Sequence, residues 1–332
     1  MLSPERCKPL HWSGGGSPAL LADAPVPGSK SAEAGSSVAG VASLAAGSRN
    51  TRPSRRSQSV QLSLGVVWVA DGSDDQLLYF PGGRVKDGRI VKVAGLKSPF
   101  EIVIDPQNRV WVSNSQSDTV VRFPAYDPSN VETFRAGIAV RALALDSKGN
   151  VWVASNASLD FPIPKVPDGA SIMEQFRIMG GAALKYPKPT GLISMIRPDG
   201  TQPAPTGFTG GGTIDVPWGL NIDGNDDVWV GNFKGRSVVL MAGAEPKGHP
   251  ADTKPGDVIH AFTGGSIQML TDVSIDPAGN VSAANNWNVP DGAAGDPPAY
   301  PTSTWGGGSG FTVIYGVAAP VKPPRMGVVQ RY

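Results

Sequence analysis

The chain has 332 residues, of which 42 are Gly and 31 are Pro, so turn-forming residues interrupt it often and many short elements are expected. Its net charge of +1 provides no large field to hold a nucleic acid backbone or an anionic membrane surface. One Cys and three His exclude a disulfide framework, a cysteine-ligated zinc site and a multi-histidine metal centre.

The first 59 residues predict a disordered, low-complexity tail. Ser, Ala and Gly fill 28 of the first 60 positions, and such small residues bury too little area to offset the entropy of ordering. Trp12 is the one aromatic residue there. No segment of the chain has the apolar core of a secretion signal or the length of a membrane span, so a soluble chain is expected and its compartment stays open.

A repeated supersecondary unit follows, over residues 60–332. The segment FEIVIDPQNRVWVSN at 100–114 recurs at 142–156, at 219–232, more loosely at 272–285, and in shortened form at 60–71. Each copy is an alternating apolar run, an Asp-containing turn and a second alternating run, and this pattern is typical of a β-hairpin. A third β-rich run follows each hairpin, and most copies have a weaker fourth.

The spacing of these copies predicts an all-β fold, a β-propeller of four-stranded antiparallel blades. The anchor residues Trp68, Trp111 and Trp152 are 43 and 41 residues apart, and Trp229 follows after one period plus an insertion. Four strands in about 40 residues are typical of a propeller blade, and we expect these Trp side chains to pack between blades. Five repeats are countable, which fits a five-bladed ring or a truncated or degenerate six-bladed one. The segment 318–332 is a candidate for an outer strand that closes the ring.

The repeat resembles the NHL repeat, and more closely the streptogramin (virginiamycin B) lyase-like propellers. In that family, magnesium-assisted elimination uses His residues at the start of innermost strands and an acidic residue at the end of the second strand. The positions that match the His motif here are occupied by Phe100, Arg141, Trp218 and Thr271. None can act as a neutral-pH base, so the resemblance extends to the fold and not to that chemistry.

A metal site is implied by resemblance only. At the ends of the second strands only Asp71 is acidic, since the matching residues elsewhere are Asn or Ser. The calcium-dependent gluconolactonase-like propellers have a Glu, Asn, Asn, Asp cup in the central channel, to which Glu101, Asn114, Asn232 and Asp272 are similar. The candidate ligands for calcium or magnesium are therefore Glu101, Asp71 and Asp272. The family resemblance also implies an exported protein, although the chain contains no readable export signal.

Two long insertions predict a ligand site on one face of the propeller. Residues 157–190 and 286–310 both join a second strand to a third, so they rise from the same face, and loops of this length are usually functional or mobile. Aromatic rings and amide groups there suit a sugar ring or an extended peptide. The alternative is that the aromatic residues only hold the loops down. The candidate ligand-binding residues are Trp218, Asn232, Asn114, Asn285, Arg141, Trp287 and Trp305.

The apolar spacing within 169–180 favours a docking turn over a partner helix. His249 and His260 are expected to be solvated or structural, and no Ser, His and Asp arrangement suggests a nucleophilic site.

These features favour a binding or interaction scaffold over an enzyme. The expected partner is a peptide, a glycan or a small molecule, and we expect a monomer. Two alternatives stay open: a divalent-cation-dependent lyase or lactonase-like enzyme, and a truncated, inactive member of the family.

Overall fold

The structure, a computed structural model, describes residues 66–288, 306–308 and 310–320. The chain forms five separate antiparallel sheets in chain order, blades 1 to 5, which confirms the predicted propeller blades. The innermost strands of neighbouring blades lie side by side.

Blade 1 contains β1 (Val67–Asp71), β2 (Gln76–Phe80) and β3 (Arg89–Val91). Blade 2 contains β4 (Pro99–Ile104), β5 (Arg109–Asn114), β6 (Thr119–Pro124) and β7 (Glu132–Arg135). Blade 3 contains β8 (Ile138–Leu145), β9 (Val151–Ala157) and β10 (Leu192–Ile196). Blade 4 contains β11 (Pro217–Ile222), β12 (Val228–Asn232), β13 (Ser237–Met241) and β14 (Val258–Thr263). Blade 5 contains β15 (Met269–Ile275), β16 (Val281–Asn288), β17 (Gly306–Gly307) and β18 (Phe311–Ile314). The helical elements are α1 (Ile172–Lys185) and the 3-10 turns Pro81–Gly83, Val85–Asp87 and Gly210–Gly212.

Blades 2 and 4 each have all four predicted strands, hydrogen-bonded in sequence order. Blade 3 has three, with Phe208 bridging to Ile193 at the place of a fourth. The predicted first strand of blade 1 falls before residue 66, outside the described residues. Innermost strands begin at the same end of the blades at which second strands finish, and we call this end of the molecule the mouth.

At the opposite end, one aspartate organises each hairpin of blades 2 to 4. The carboxylate of Asp146 accepts hydrogen bonds from the backbone N–H groups of Lys148 and Asn150, and from the indole Nε1 of Trp152 at 3.1 Å. Asp105 and Asp223 repeat this pattern. A side chain that both caps a turn and binds the next strand's Trp fixes the hairpin register locally.

The Trp side chains lie between blades, as predicted. Trp111, Trp152 and Trp229 are fully buried, and Trp68 is 7% exposed. Trp152, for example, packs in one apolar cluster with Val228 and Val230 of the next blade. Burying an indole that keeps its N–H bonded to carboxylate removes the penalty for an unpaired polar group.

The described blades form a row of four packed interfaces. Apolar clusters join blades 1 and 2, 2 and 3, 3 and 4, and 4 and 5, but no such cluster of described residues joins blade 5 to blade 1. Most of the segment predicted to close the ring, residues 321–332, lies outside the described residues. At its start, the Ala318 N–H donates to the Gly279 carbonyl of blade 5, and the Ala319 carbonyl accepts from the Gly224 N–H of blade 4.

Two local predictions are corrected by the structure. The segment expected to form a docking turn is part of the 14-residue helix α1, which Ser171 caps by accepting a hydrogen bond from the Glu174 N–H. His249, expected to be solvated, has a side chain that is only 14% exposed. Its Nε2 lies 2.9 Å from the carboxylate of Asp227. No helix in the described ranges combines the length and apolar character needed to cross a membrane.

The aspartate–indole bond predicts unequal effects of two matched substitutions. Asp146→Ala removes the acceptor for buried N–H groups and for Trp152, and should lower the free energy of unfolding by about 2 to 4 kcal/mol. Asp276→Ala removes the same turn cap in blade 5, where the aspartate is exposed and Ser282 stands in place of Trp. We expect a loss of about 1 kcal/mol there. Urea unfolding measures both, and equal losses would contradict the role given to the indole.

Candidate functional site

A backbone bulge recurs near the mouth in each innermost strand from blade 2 to blade 5. In blade 2, Pro99 pairs with Asn114 and Ile102 with Val112, so two residues of β4 oppose one of β5. Equivalent shifts occur in β8, β11 and β15. The residues at these four shifts include Phe100, Arg141, Trp218 and Thr271. They are the positions that match the His motif of the lyase-like family, so the sequence and the structure single out the same ring. Bulges re-aim side chains and are frequent beside functional sites.

The backbone before three of these bulges is strained. Ser98, Ala139 and Val216 have positive φ angles of 48°, 55° and 50°, although none is glycine. Each precedes by two positions a residue of the ring, and a β-branched residue in this region is especially unfavourable. Such conformations cost about 1 to 3 kcal/mol each and persist where the surroundings hold them. The Ser98 carbonyl, for example, accepts hydrogen bonds from both the N–H and the hydroxyl of Ser115.

Arg141 lies between two aromatic side chains of the ring. Its guanidinium carbon is 4.5 Å from the ring centroid of Trp218 and 5.3 Å from that of Phe100. Its Nε donates to Oδ1 of Asn156 at 2.9 Å, and Asn156 in turn donates to the carbonyl of Pro217 in blade 4. Arg141 is only 4% exposed, and this burial lowers the pKa of its guanidinium to about 9. Blades 2, 3 and 4 are thus connected at the mouth by one stack of Phe100, Arg141 and Trp218.

Two carboxyl groups follow the bulges directly in sequence. Glu101 accepts a hydrogen bond from the Leu143 N–H at 2.9 Å, which connects blade 2 to blade 3. The pKa of Glu101 is raised to about 8, and burial is the main cause; the Leu143 hydrogen bond lowers this pKa, and the negative charge of Asp272 makes a smaller raising contribution. Desolvation also raises the pKa of Asp272, to about 6, although this residue keeps contact with solvent. At neutral pH one carboxyl group is mainly protonated and the other mainly ionised.

Close packing of blades 4 and 5 positions Asp272. A Cβ atom on Gly219 would lie 2.4 Å from the Cα of Asp272 and 2.7 Å from its Oδ1. Only glycine therefore permits this approach, and any larger residue at 219 would push the carboxyl group away.

The three candidate asparagines have structural hydrogen bonds at the mouth. Asn114, Asn232 and Asn285 each accept from the backbone N–H 17 residues earlier and donate to the carbonyl 19 residues earlier. The first two also donate to a hydroxyl five residues later, on Thr119 or Ser237. All three are buried. These amides hold the segments before the innermost strands of blades 2, 4 and 5, and their contact with a ligand stays a prediction.

The first insertion covers part of the mouth. Ala182, Ala183 and Met179 of α1 join an apolar cluster with Phe161, Phe233 and Met269. Trp218 lies 5.0 Å from Phe233, and Trp287 of the second insertion lies 6.4 Å from Phe233, between ring centroids. Trp287 is therefore brought to the mouth beside Trp218 and Arg141, whereas Trp305 lies outside the described residues. The aromatic residues do hold the insertion in place, and Trp218 and Trp287 remain partly exposed.

The predicted metal ligands do not come together. Asp71 ends β1 of blade 1, and its carboxylate accepts from the Ser73 N–H and from Nε2 of Gln76 at 2.8 Å. Within the described ranges no group of three or more His, Cys, Asp and Glu side chains is placed to hold a metal ion. The charge of Asp272 acts on Glu101, whereas the Asp71 carboxylate bonds to groups within its own hairpin.

A separate open groove lies on the outside of blades 3 and 4. It is lined by the Gly-rich turn around 207–211 and by residues 250–259, including Phe208 and Val258. Its acidic residues, Asp252 and Asp257, are exposed.

No protein-family model matches the sequence, and no curated protein matches it in sequence. Solved structures do match in fold. A catalytically inactive variant of virginiamycin B lyase from Staphylococcus aureus, solved with quinupristin, is 12% identical, with a TM-score of 0.45 over 67% of this chain and 60% of that one. The match therefore spans less than two thirds of the lyase chain.

Two further structures match with similar scores. A structural-genomics target provisionally named a gluconolactonase is 11% identical, with a TM-score of 0.44 over 78% of this chain and 87% of that one. A chain of a nidogen/laminin complex is 14% identical, with a TM-score of 0.43 over 67% of this chain and 68% of that one. At these identities the likeness concerns the fold alone.

The buried carboxyl group at the mouth predicts a pH dependence of stability. Since the pKa of Glu101 is raised by folding, the folded state holds its proton more tightly than the unfolded state does. Stability should be greatest below the unfolded pKa near 4.5 and fall as pH rises to about 8, by up to about 1.4 kcal/mol for each pH unit. Urea unfolding from pH 4 to 9 should show this decline in the parent chain and a much flatter profile in Glu101→Gln. Parallel profiles would mean that Glu101 titrates normally.

Proposed function

We propose that this chain is a ligand-binding propeller whose binding site is the mouth ring and the aromatic surface beside it. The observation that carries the proposal is the recurring bulge, which places chemically distinct side chains at one level on four blades. Three of those positions follow non-glycine residues with positive φ angles, and this strained backbone costs free energy that a purely structural role does not explain.

The accessible groups define what the site can hold. Phe100 is 43% exposed, and Trp218 and Asp272 are also in contact with solvent, whereas Arg141 is buried behind them. A ligand therefore meets aromatic faces first. Arg141 fixes the two rings from behind through its cation–π contacts, which reduces the entropy lost on binding.

Hydrogen bonding adds a second requirement. A protonated Glu101 can donate to a ligand oxygen, and an ionised Asp272 can accept from a hydroxyl or amide group. Aromatic faces beside one donor and one acceptor match a sugar ring or an extended peptide. The proposed ligand class is a glycan or a peptide segment.

A binding screen tests this proposal. The full chain is probed with one panel of soluble oligosaccharides and one panel of uncharged hexapeptides, and the tightest binder is titrated by calorimetry. Trp218→Ala should weaken its binding by about tenfold or more, because stacking on a rigid ring accounts for at least 1 to 2 kcal/mol. Tyr126→Ala is the matched control, since Tyr126 is 82% exposed in a loop of blade 2 and outside the ring. Equal affinities of the two variants would place the ligand elsewhere.

The second candidate is an enzyme that uses the carboxyl pair as acid and base. The observation that favours it is the separation of the two pKa values, to about 8 and about 6, because such a pair supplies one proton donor and one acceptor at neutral pH. The family resemblance implies a cation-dependent form of this enzyme, in which a divalent cation would bind to carboxylate oxygens of Glu101 and Asp272.

A thermal melt tests whether the site depends on a cation. After chelation, the full chain is titrated with calcium or magnesium, and a cation at 100 times its dissociation constant should stabilise the fold by about 2.7 kcal/mol. The rise in Tm should disappear in Asp272→Asn and persist in Asp71→Asn, because the Asp71 carboxylate already accepts a hydrogen bond from Gln76 and belongs to no metal-holding group of the described residues. If neither metal raises the Tm, the hypothesis of a cation-dependent enzyme is wrong, while the binding proposal stands.

A further inference from the structure

The outer face of blade 1 is an apolar sheet surface. On this face Val67 pairs with Phe80, and Val69 pairs with Leu78, which in turn pairs with Ile90. These five residues form the blade 1 face. Val69 is 36% exposed and Ile90 is 44% exposed, and none of the five belongs to the buried apolar clusters of the described residues.

The same face of every later blade receives a Trp from the blade before it. In blade 2, Val110, Val112 and Val121 pack in one cluster with Trp68 of blade 1. In blade 4, the corresponding residues pack in one cluster with Trp152 of blade 3. The alternation of apolar residues on β1 and β2 is the same, so the blade 1 face has the shape and chemistry of a surface that accepts an indole.

Blade 5 cannot supply that indole. The position six residues after its turn aspartate, where Trp111, Trp152 and Trp229 stand in blades 2 to 4, is Ser282. Ser282 pairs with Ser274 on one side and Val313 on the other, and Phe311, which is 68% exposed, lies on the same face of the sheet. The outer face of blade 5 therefore carries apolar residues but no indole at the position that supplies one in blades 2 to 4.

We propose that Trp12, in the segment PLHW at 9–12, docks on the blade 1 face of its own chain. Trp12 is the one aromatic residue among the first 59, and it follows Pro9 and Leu10 in a region otherwise rich in Ser, Ala and Gly. Fifty-three residues separate Trp12 from Val66, and a chain of that length spans about 40 Å even at random-coil dimensions, so Trp12 is within reach of β1, which carries part of the face. Burying one indole covers about 150 to 250 Å².

Disulfide trapping in the full chain tests this docking. The single native thiol is removed by Cys7→Ser, and Ser13→Cys is combined with Ile90→Cys at the exposed rim of the blade 1 face. The matched control combines Ser13→Cys with Ser282→Cys on the outer face of blade 5. Under mild oxidation, the first pair should form an intramolecular disulfide about tenfold faster or more than the second, because docking raises the effective concentration of the two thiols. Adding Trp12→Ala should reduce the first rate to that of the control.

Three results would overturn the proposal. Equal rates for the two pairs would mean that Trp12 does not prefer the blade 1 face, and a rate unchanged by Trp12→Ala would mean that the indole is not the anchor. Disulfides formed between two chains in place of the intramolecular bond would assign the face to a second copy. Melting curves establish that the variants are folded, so slow cross-linking cannot be attributed to unfolding.

Discussion

The hydrogen bond between a turn aspartate and a buried Trp is the constraint on which the blades depend. In blades 2 to 4 the carboxylate of Asp105, Asp146 or Asp223 binds the indole N–H six residues later at 2.9 to 3.1 Å. One residue thereby sets the turn, the register of two strands and the depth of the ring that fills the interface with the next blade. With that end fixed, the bulges of the innermost strands in blades 2 to 5 lie near the other end, at the mouth.

The mouth combines features that stabilising interactions alone do not explain. Strained residues precede bulges, a guanidinium is buried between two rings, and a carboxyl group of pKa about 8 faces another of about 6. Each feature costs free energy, and the asparagine clamps and the packed helix α1 are positioned to hold them. Rigid support around a desolvated polar ring is the arrangement expected of a binding or catalytic site.

Much of the fold could be predicted because its determinants are local. The Asp-turn and Trp spacing predicts the hairpins, and their period predicts the propeller. The bulges could not be predicted, since the positive φ angles fall on Ser98, Ala139 and Val216 and no glycine marks them. The spacing from Asn114 to Thr119, repeated from Asn232 to Ser237, is the sequence signal of a loop clamp, and contact of these asparagines with a ligand stays a prediction.

The most direct test of the central claim, that the mouth is the functional site, is an amide hydrogen-exchange footprint. The full chain is measured alone and with the tightest binder from the oligosaccharide and peptide panels. The account predicts slowed exchange in the bulged segments around Glu101, Ala142, Gly219 and Asp272, with the turn aspartate ends of the blades unchanged. Slowed exchange confined to the outer groove around Phe208 and Val258, with the bulges unaffected, would contradict it.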